Sequence, residues 1–206
     1  MKTSILIFDG ITALDAVGPY EVLSRPPGWE VEFVGRSQGE VRTDSGALGL
    51  SADKALDEVE QADILLVPGG KGNRQLLRDE EVLGWVRQLH EASTWTTSVC
   101  TGSLVLGAAG LLEGRRATGH WLYLEMLRQF GAEPVQERWV EDGKLLTAAG
   151  VSAGVDMALH LVGLEEGPEA AQAVQLAIEY DPQPPFDAGS PDKAPPEIVA
   201  RFSGRS

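Results

Sequence analysis

Residues 94–109 read TWTTSVCTGSLVLGAA, in which β-forming residues give way, at the one cysteine of the chain, to small and apolar residues. The first half predicts a strand over residues 94–99, and the second half predicts a mostly buried helix over residues 102–109. Cys100 lies between the two. A residue in this position sits on a sharp strand-to-helix turn, the nucleophile elbow, and its side chain projects above the sheet.

Short apolar runs alternate with helical patterns along the rest of the chain. We expect further strands at residues 5–8, 31–34, 64–67 and 145–147, helices at 14–23, 82–89 and 155–162, and a small hairpin between 132 and 142. Strands that alternate with helices predict a mostly parallel sheet with helices on both faces, an α/β sandwich. Sheets of this kind place ligand sites at the carboxyl ends of their strands.

The length of 206 residues predicts one domain, because domains commonly hold about 100–200 residues. After Tyr180 the composition becomes proline-rich, which predicts an extended tail over residues 181–206. The fixed φ angle of proline disfavours a helix there. We therefore expect a single domain over residues 1–206, whose tail lies on the body of the molecule or on a partner subunit.

The charge balance argues against two classes of partner. Seventeen lysines and arginines against thirty-one aspartates and glutamates give a net charge of −14, which repels nucleic acid and anionic membrane surfaces. No apolar run approaches the ~20 residues of a membrane-spanning helix, and the apolar run near the start is too short for a signal sequence. One cysteine allows no internal disulfide and suits a reducing compartment, so we expect a cytoplasmic protein.

The position of Cys100 leaves two interpretations open. At the start of a helix, backbone amides and the positive end of the helix dipole stabilise a thiolate, which is the reactive form of cysteine. A lone cysteine is also commonly a small buried hydrophobe. Position alone does not decide between a nucleophile and a core residue.

Two other strand ends carry candidate site residues. Asp15 follows the first predicted strand, and it either caps the helix that begins there or reaches across the sheet to share a proton with Cys100. Gly70 follows the strand at residues 64–67, where it forms an ordinary tight turn or contributes a free amide. In the second case this amide and that of Thr101 form an oxyanion-type hole that faces the thiol.

The three histidines give little support for a metal site or a catalytic triad. His90 and His160 fall within helical patterns, where we expect surface or boundary positions, and the dispersal of the histidines argues against a metal site. His120 follows a short predicted strand and is expected to flank the site. A triad with Cys100 requires the His120 ring to reach the thiol, and the spacing does not guarantee that contact.

Three motifs together resemble the ThiJ/PfpI superfamily: Asp15 followed by Gly18-Pro19, the segment 67–70 (VPGG) and the segment 98–107 (SVCTGSLVLG). The likeness is greatest to the isocyanide hydratase branch, and it extends through residues 109–118, His120-Trp121, Gly150 and the tail at 179–192. It covers nearly the whole chain. The resemblance implies a flavodoxin-like three-layer α/β sandwich with a nucleophile elbow at Cys100.

The resemblance also implies roles for individual residues. Cys100 is the implied nucleophile, Asp15 its acidic partner, and Thr101 a contact beside the thiol through its amide or hydroxyl group. Gly70 is implied to supply a backbone donor, and Gly150 is a candidate hinge for the helix that follows it. Superfamily members described as proteases typically carry histidine directly after the cysteine, where this chain has Thr101. A protease activity is therefore disfavoured.

Hydration of isocyanides to N-substituted formamides is the activity that the resemblance implies, with a covalent thioimidate on Cys100, Asp15 as general acid and base, and no cofactor or metal. A homodimer with a small-molecule substrate is also implied. Three alternatives stay open: a cofactorless glyoxalase or deglycase acting on small reactive carbonyls, a cysteine redox sensor with little turnover, and a ligand-sensing domain like those of some transcription regulators. The last would need a DNA-binding domain for which this chain has no room.

Overall fold

The structure is a computed structural model that describes residues 1–202 of the chain. Strands and helices alternate along it, in the order β1 (Lys2–Leu6), α1 (Ala13–Leu23), β2 (Glu30–Gly35), β3 (Gly39–Arg42), β4 (Gly49–Ala52), β5 (Lys54–Ala55), β6 (Ile64–Val67), α2 (Asn73–Leu76), α3 (Glu80–Ala92), β7 (Trp95–Val99), α4 (Gly102–Ala108), β8 (Arg116–Ala117), β9 (Glu133–Pro134), β10 (Trp139–Asp142), β11 (Leu145–Ala148), α5 (Ala153–Glu166), α6 (Pro168–Ala177) and α7 (Pro196–Ala200). Short 3-10 helices cover Leu56–Glu58 and Leu124–Phe130. None of the helices in residues 1–202 combines the length and the apolar composition that a transmembrane span needs.

Seven strands form one sheet in the order β10-β11-β7-β6-β1-β2-β5. All neighbouring strands in this sheet are parallel except β10, which runs antiparallel to β11 at one edge. Two groups of helices cover the sheet: α1 and α6 pack on α5, and α3 packs on α4. The prediction of a mostly parallel sheet in an α/β sandwich is confirmed.

Strand β6 and the second half of β1 are buried, and apolar residues occupy them without alternation. All four residues of β6 are buried, and Ile5 and Leu6 of β1 are at most 1% exposed. Continuous apolar strands are typical of parallel sheets that are covered on both faces. Helix α4 is equally enclosed, with six of its seven residues buried. The turn that joins β7 to α4 is therefore held between two buried elements.

The predicted hairpin between residues 132 and 142 is wrong. Within this segment β9 pairs in parallel with β8, whereas β10 pairs with β11. The hairpin lies further along the chain, and its two-residue turn is formed by Gly143 and Lys144. Gly143 has a φ of 63°, a left-handed conformation that such turns require. This turn chemistry, rather than the apolar pattern, selects the partner of β10.

The tail differs in part from the extended chain that its prolines predict. Within the described part of the tail, residues 181–195 form no helix or strand, but α7 follows them. Proline is tolerated in the first turn of a helix, where its missing N–H would have no partner in any case. The ring of Phe202 contacts that of Trp121, with centroids 6.0 Å apart. The end of the predicted tail, residues 203–206, lies outside the described residues.

Gly102 allows α4 to approach the end of β6 closely, because it has no side chain. A methyl group on Gly102 would overlap the carbonyl oxygen of Val67. We expect Gly102→Ala to lower the free energy of unfolding, measured by chemical denaturation, by about 1–3 kcal/mol or more. Gly84→Ala in α3 is the matched control, because the nearest atom lies 4.0 Å from the added methyl group. This control should gain roughly 0.5–1 kcal/mol, and equal stability of the two variants would contradict the prediction.

Candidate active site

Cys100 lies at the carboxyl end of β7, and its backbone has a left-handed conformation with a φ of 61°. Among residues 1–202, Glu179 is the only other non-glycine residue with a positive φ. The Cys100 N–H donates to the carbonyl oxygens of Ala148 and Ala149, at 3.1 and 3.2 Å. The Cys100 carbonyl accepts a hydrogen bond from the backbone N–H of His120 at 3.2 Å. These bonds hold the predicted nucleophile elbow in place.

Asp15 lies in the first turn of α1 and is completely buried. Thr12 occupies the N-cap position, so the interpretation of Asp15 as a helix cap is wrong. The Oδ2 atom of Asp15 accepts a hydrogen bond from the Gly69 N–H at 2.9 Å, while Oδ1 has no hydrogen-bond partner within the described residues. The thiol of Cys100 lies near enough to the same carboxyl group for each group to change the pKa of the other. The structure thus brings Asp15 and Cys100 together at one site.

Burial changes the protonation of both members of this pair. It raises the pKa of the Asp15 carboxyl to about 7, against the opposing effect of the hydrogen bonds from Gly69 and Cys100. The negative charge of Asp44, which accepts a hydrogen bond from the Thr12 hydroxyl at 2.9 Å, raises it slightly further. Because a buried carboxylate has lost its water, Asp15 is able to carry a proton near neutral pH.

The pKa of the Cys100 thiol is also raised, first by burial and then by the negative charge of Asp15. Hydrogen bonds from the backbone and side chain of Thr101 lower it. The start of α4 was expected to favour the thiolate, but burial and the carboxyl group outweigh that effect in this closed geometry. The two groups interact so closely that they titrate as one unit, which retains at least one proton at neutral pH.

Thr101 joins the cluster through its hydroxyl group. The Gly70 N–H donates to Thr101 Oγ1 at 3.0 Å, and Asn73 Nδ2 donates to the same oxygen at 3.0 Å. Of the two interpretations of Gly70, the free amide that faces the thiol is wrong, because its N–H donates to Thr101. Gly70 has a φ of 141° and forms a bridge with Ile11, and this backbone arrangement directs its N–H toward Thr101.

Asn73 belongs to this cluster although no sequence motif predicts it. It is the first residue of α2 and is 3% exposed. Its Oδ1 atom has no hydrogen-bond partner within residues 1–202. The signal that could have found it is its place in the loop after β6, three residues beyond Gly70. A polar residue in such a strand-end loop is a candidate for contact with the residues that follow the neighbouring strand.

A cavity of about 620 Å³ opens beside the thiol. Polar and charged groups line part of it, namely Cys100, Thr101, Thr12, Asp44, Gly70, Lys71, Asn73, Arg74 and His120. Larger side chains, mostly apolar, line the rest, namely Leu77, Leu104, Leu122, Tyr123, Met126 and Val151. An apolar wall with a few convergent polar groups is typical of a site for a small organic molecule. A second cavity of about 520 Å³, between β10, α5 and α6, does not include Cys100.

His120 lines the cavity, as expected, but its ring makes no triad with Cys100. The Nδ1 atom of His120 accepts a hydrogen bond from the Leu122 N–H at 3.3 Å, and the ring stacks on Trp121. Burial lowers the pKa of the His120 imidazole, which favours its neutral form. Within the described chain its contact with Cys100 is through the backbone.

The other predicted positions lie around this site or away from it. Gly150 sits between β11 and α5 and faces His120, because a Cβ on Gly150 would overlap the His120 ring. Its role as a hinge stays a prediction. His90 and His160 hydrogen-bond Thr96 and Glu141, and neither histidine lines the cavity. In the part of the chain that the structure describes, no group of three His, Cys, Asp or Glu side chains is arranged to hold a metal ion.

Known proteins share both the sequence and the fold. A family model described as the DJ-1/PfpI family matches residues 1–164. The isonitrile hydratase of Pseudomonas putida is 44% identical over 199 residues, which cover 97% of this chain and 87% of that protein. The crystal structure of a THiJ/PfpI family protein from Pseudomonas syringae superimposes with a TM-score of 0.96 at 35% identity, over 99% of this chain and 85% of that one.

A regulator also shares part of its sequence with this chain. The HTH-type transcriptional regulator CdhR of Pseudomonas aeruginosa is 32% identical over 138 residues, which cover 66% of this chain. The match spans 40% of the regulator. The similarity therefore concerns a minor part of that protein.

The contact between Asp15 and Cys100 predicts how thiol reactivity depends on pH. The negative charge of Asp15 raises the pKa of the Cys100 thiol, so Asp15→Asn should lower it, by about one to three units for a charge in contact. Iodoacetamide alkylation of the native protein across pH measures this shift. Glu60→Gln, at an exposed position, is the control and should leave the profile unchanged. An unchanged profile in Asp15→Asn would remove the proposed coupling.

Proposed function

The chain belongs to the DJ-1/PfpI family, and we propose that it is an enzyme that hydrates isocyanides to N-substituted formamides. The observation that carries the proposal is the completely buried Asp15 carboxyl group, which accepts a hydrogen bond from Gly69 and whose charge raises the pKa of the buried Cys100 thiol. The 44% identity to a protein named isonitrile hydratase supports it, because isonitrile is another name for isocyanide. The cavity beside Cys100 supplies room for the organic substituent.

An isocyanide makes two demands on a catalyst. Its terminal carbon is divalent, so it must gain both a nucleophile and a proton. A thiolate next to a protonated carboxyl group meets both demands in one step. This reactive form of the pair has lost one of its two protons, so kcat/KM rises with pH through the first ionisation of the pair, near the Asp15 pKa of about 7.

In the first step, the Cys100 sulfur attacks the isocyanide carbon and forms the C–S bond. The proton of the Asp15 carboxyl moves to the same carbon, and the product is a thioimidate, R–N=CH–S, bound to Cys100. Asp15 is left as a buried carboxylate. This charge is the general base that the next step requires.

In the second step, a water molecule adds to the thioimidate carbon while the Asp15 carboxylate orients it and accepts a proton. The nitrogen gains a proton, the C–S bond breaks and the carbon–oxygen double bond of the formamide forms. The two hydrogens of water end on the nitrogen and on the Cys100–Asp15 pair. Substrate and water supply every atom and no electrons are transferred, so the reaction as proposed needs no cofactor or metal.

The remaining predicted residues take supporting roles in this proposal. The amide and hydroxyl of Thr101 stabilise the Cys100 thiolate when it attacks and when it leaves. His120 contacts the substrate from the cavity wall, and Gly150 gives the start of α5 freedom to move during turnover. The reaction requires a reduced thiol, which supports the cytoplasmic location that the sequence predicts.

The direct test is formamide production from an aryl isocyanide. We expect turnover by the wild type and a loss of at least about 10³-fold in Cys100→Ala and Cys100→Ser, because removal of a nucleophile usually costs this much. Methylglyoxal consumption is measured in parallel. Turnover of isocyanide that survives in Cys100→Ala would contradict the role of the thiol. Consumption of methylglyoxal without turnover of isocyanide would favour a glyoxalase instead.

We also propose that residues 1–206 form one domain and that two copies form a homodimer. Three apolar side chains of α5, α6 and the tail support this proposal, because Leu164, Leu176 and Phe186 are 44%, 81% and 79% exposed. Contiguous exposed apolar side chains commonly mark an interaction surface, and the helices α5 and α6 that carry Leu164 and Leu176 pack on each other. The proline-rich tail would then lie between the two copies.

Light scattering should therefore report a dimer for the wild type. Leu176→Glu should weaken it by about tenfold or more in dissociation constant, because a carboxylate buried in an apolar interface costs more than ~1.4 kcal/mol. Gln75→Glu, at an exposed position of α2, is the control and should remain dimeric. A wild type that is monomeric in dilute solution would remove this proposal.

A further inference from the structure

The hydroxyl group of Thr101 is surrounded by donors. Thr101 is 9% exposed and directly follows Cys100. Two N–H groups point at its Oγ1 atom, one from the Gly70 backbone and one from the Asn73 side chain, each at 3.0 Å. A hydroxyl oxygen has two lone pairs and carries one proton. Both acceptor positions of Thr101 are therefore occupied, and only its proton remains to be donated.

The orientation of the Asn73 amide follows from its surroundings. Its Nδ2 atom lies 3.5 Å from the carbonyl oxygen of Pro68 as well as 3.0 Å from Thr101 Oγ1. A backbone carbonyl can only accept hydrogen bonds, so the amide nitrogen, and not the amide oxygen, must face Pro68. The same nitrogen therefore donates to Thr101. A rotated amide would place two acceptor oxygens against each other.

The Thr101 proton has two acceptors nearby, the Cys100 sulfur and the Asp15 carboxyl group. Thr101 Oγ1 and Asp15 Oδ2 flank Gly69, at 2.7 and 2.8 Å from the place where a Cβ on Gly69 would lie. A hydroxyl group that rotates freely would share its proton with the carboxylate, which is the stronger acceptor. Donation from Gly70 and Asn73 occupies both lone pairs of the Thr101 hydroxyl and so fixes its rotation. The Thr101 side chain lowers the pKa of the Cys100 thiol, as a proton directed at the sulfur would.

We propose that Asn73 is a positioning residue that acts through Thr101, by holding the Thr101 hydroxyl so that its proton is donated to the sulfur of Cys100. A hydrogen bond to the charged form of a group favours that form, so this arrangement stabilises the Cys100 thiolate. It works against the burial that disfavours the thiolate. The role of Asn73 in stabilising the thiolate does not depend on the proposed reaction. Only its consequence rests on the proposed function, because there the thiolate serves as nucleophile and leaving group in the isocyanide reaction.

The test is a double-mutant cycle read by the pH profile of Cys100 alkylation. Asn73→Leu keeps a similar side-chain volume and removes the donor. We expect it to raise the pKa of the thiol by about one unit in the wild-type background, since a hydrogen bond to a charged group is worth at least that much. In Thr101→Val the hydroxyl is absent, so adding Asn73→Leu should cause no further shift.

Two further variants separate positioning from folding. Gln75→Leu, an exposed position on the same short helix, is the matched control and should not move the profile. Asn73→Asp keeps the shape of the side chain but replaces the amide donor by an acceptor. The shift in thiol pKa that it causes should therefore be larger in the wild-type background than in Thr101→Val. If Asn73→Leu does not fold, the comparison of Asn73→Asp in the wild-type and Thr101→Val backgrounds tests the role of Asn73 instead.

Equal shifts in both backgrounds, or no shift from the Asn73 variants in the wild type, would overturn the proposal. Unfolding midpoints of all variants are measured in parallel, because a purely structural role would change stability without this dependence on Thr101. The readout needs no isocyanide. The proposed hydration reaction can therefore fail while the role of Asn73 stands, and the reverse also holds.

Discussion

The backbone of Cys100 is the constraint on which the site depends. Its left-handed conformation is fixed by β11, which accepts hydrogen bonds from the Cys100 N–H, and by the turn at His120, which donates to its carbonyl oxygen. Gly102 then allows α4 to pass directly against the end of β6. Because three neighbouring elements hold one residue, the thiol has a fixed position relative to the other strand ends.

The second constraint is a buried acid that has no basic partner. In the described chain Asp15 forms no salt bridge; its carboxyl group accepts a hydrogen bond from the Gly69 amide, and the Cys100 thiol lowers its pKa. A carboxyl group in such surroundings keeps its proton more readily than it would in water. The fold thereby stores a transferable proton next to sulfur, and Thr101 and Asn73 supply hydrogen bonds without adding charge.

The sequence predicts the parts of this structure that depend on local pattern. Buried strands such as β6 have continuous apolar runs, and the elbow at Cys100 is visible as a change from β-forming to small residues. The features that the sequence does not predict depend on residues that are far apart in the chain. The predicted hairpin is misplaced because β10 pairs beyond a glycine turn. The sequence leaves the partner of the Gly70 amide open because that partner, Thr101, lies 31 positions away. The sequence does not predict the role of Asn73, because a single amide at the start of a four-residue helix carries no periodic signal.

At position 100, the residue type that the left-handed backbone favours differs from the residue type that the proposed reaction needs. A residue with a side chain in this conformation costs on the order of 1 kcal/mol more than glycine. Glycine is therefore the residue that backbone energy alone would favour at position 100, and it has no thiol. Backbone energy and the proposed reaction therefore favour different residues at position 100, and the packing of the buried Cys100 side chain offsets part of that difference.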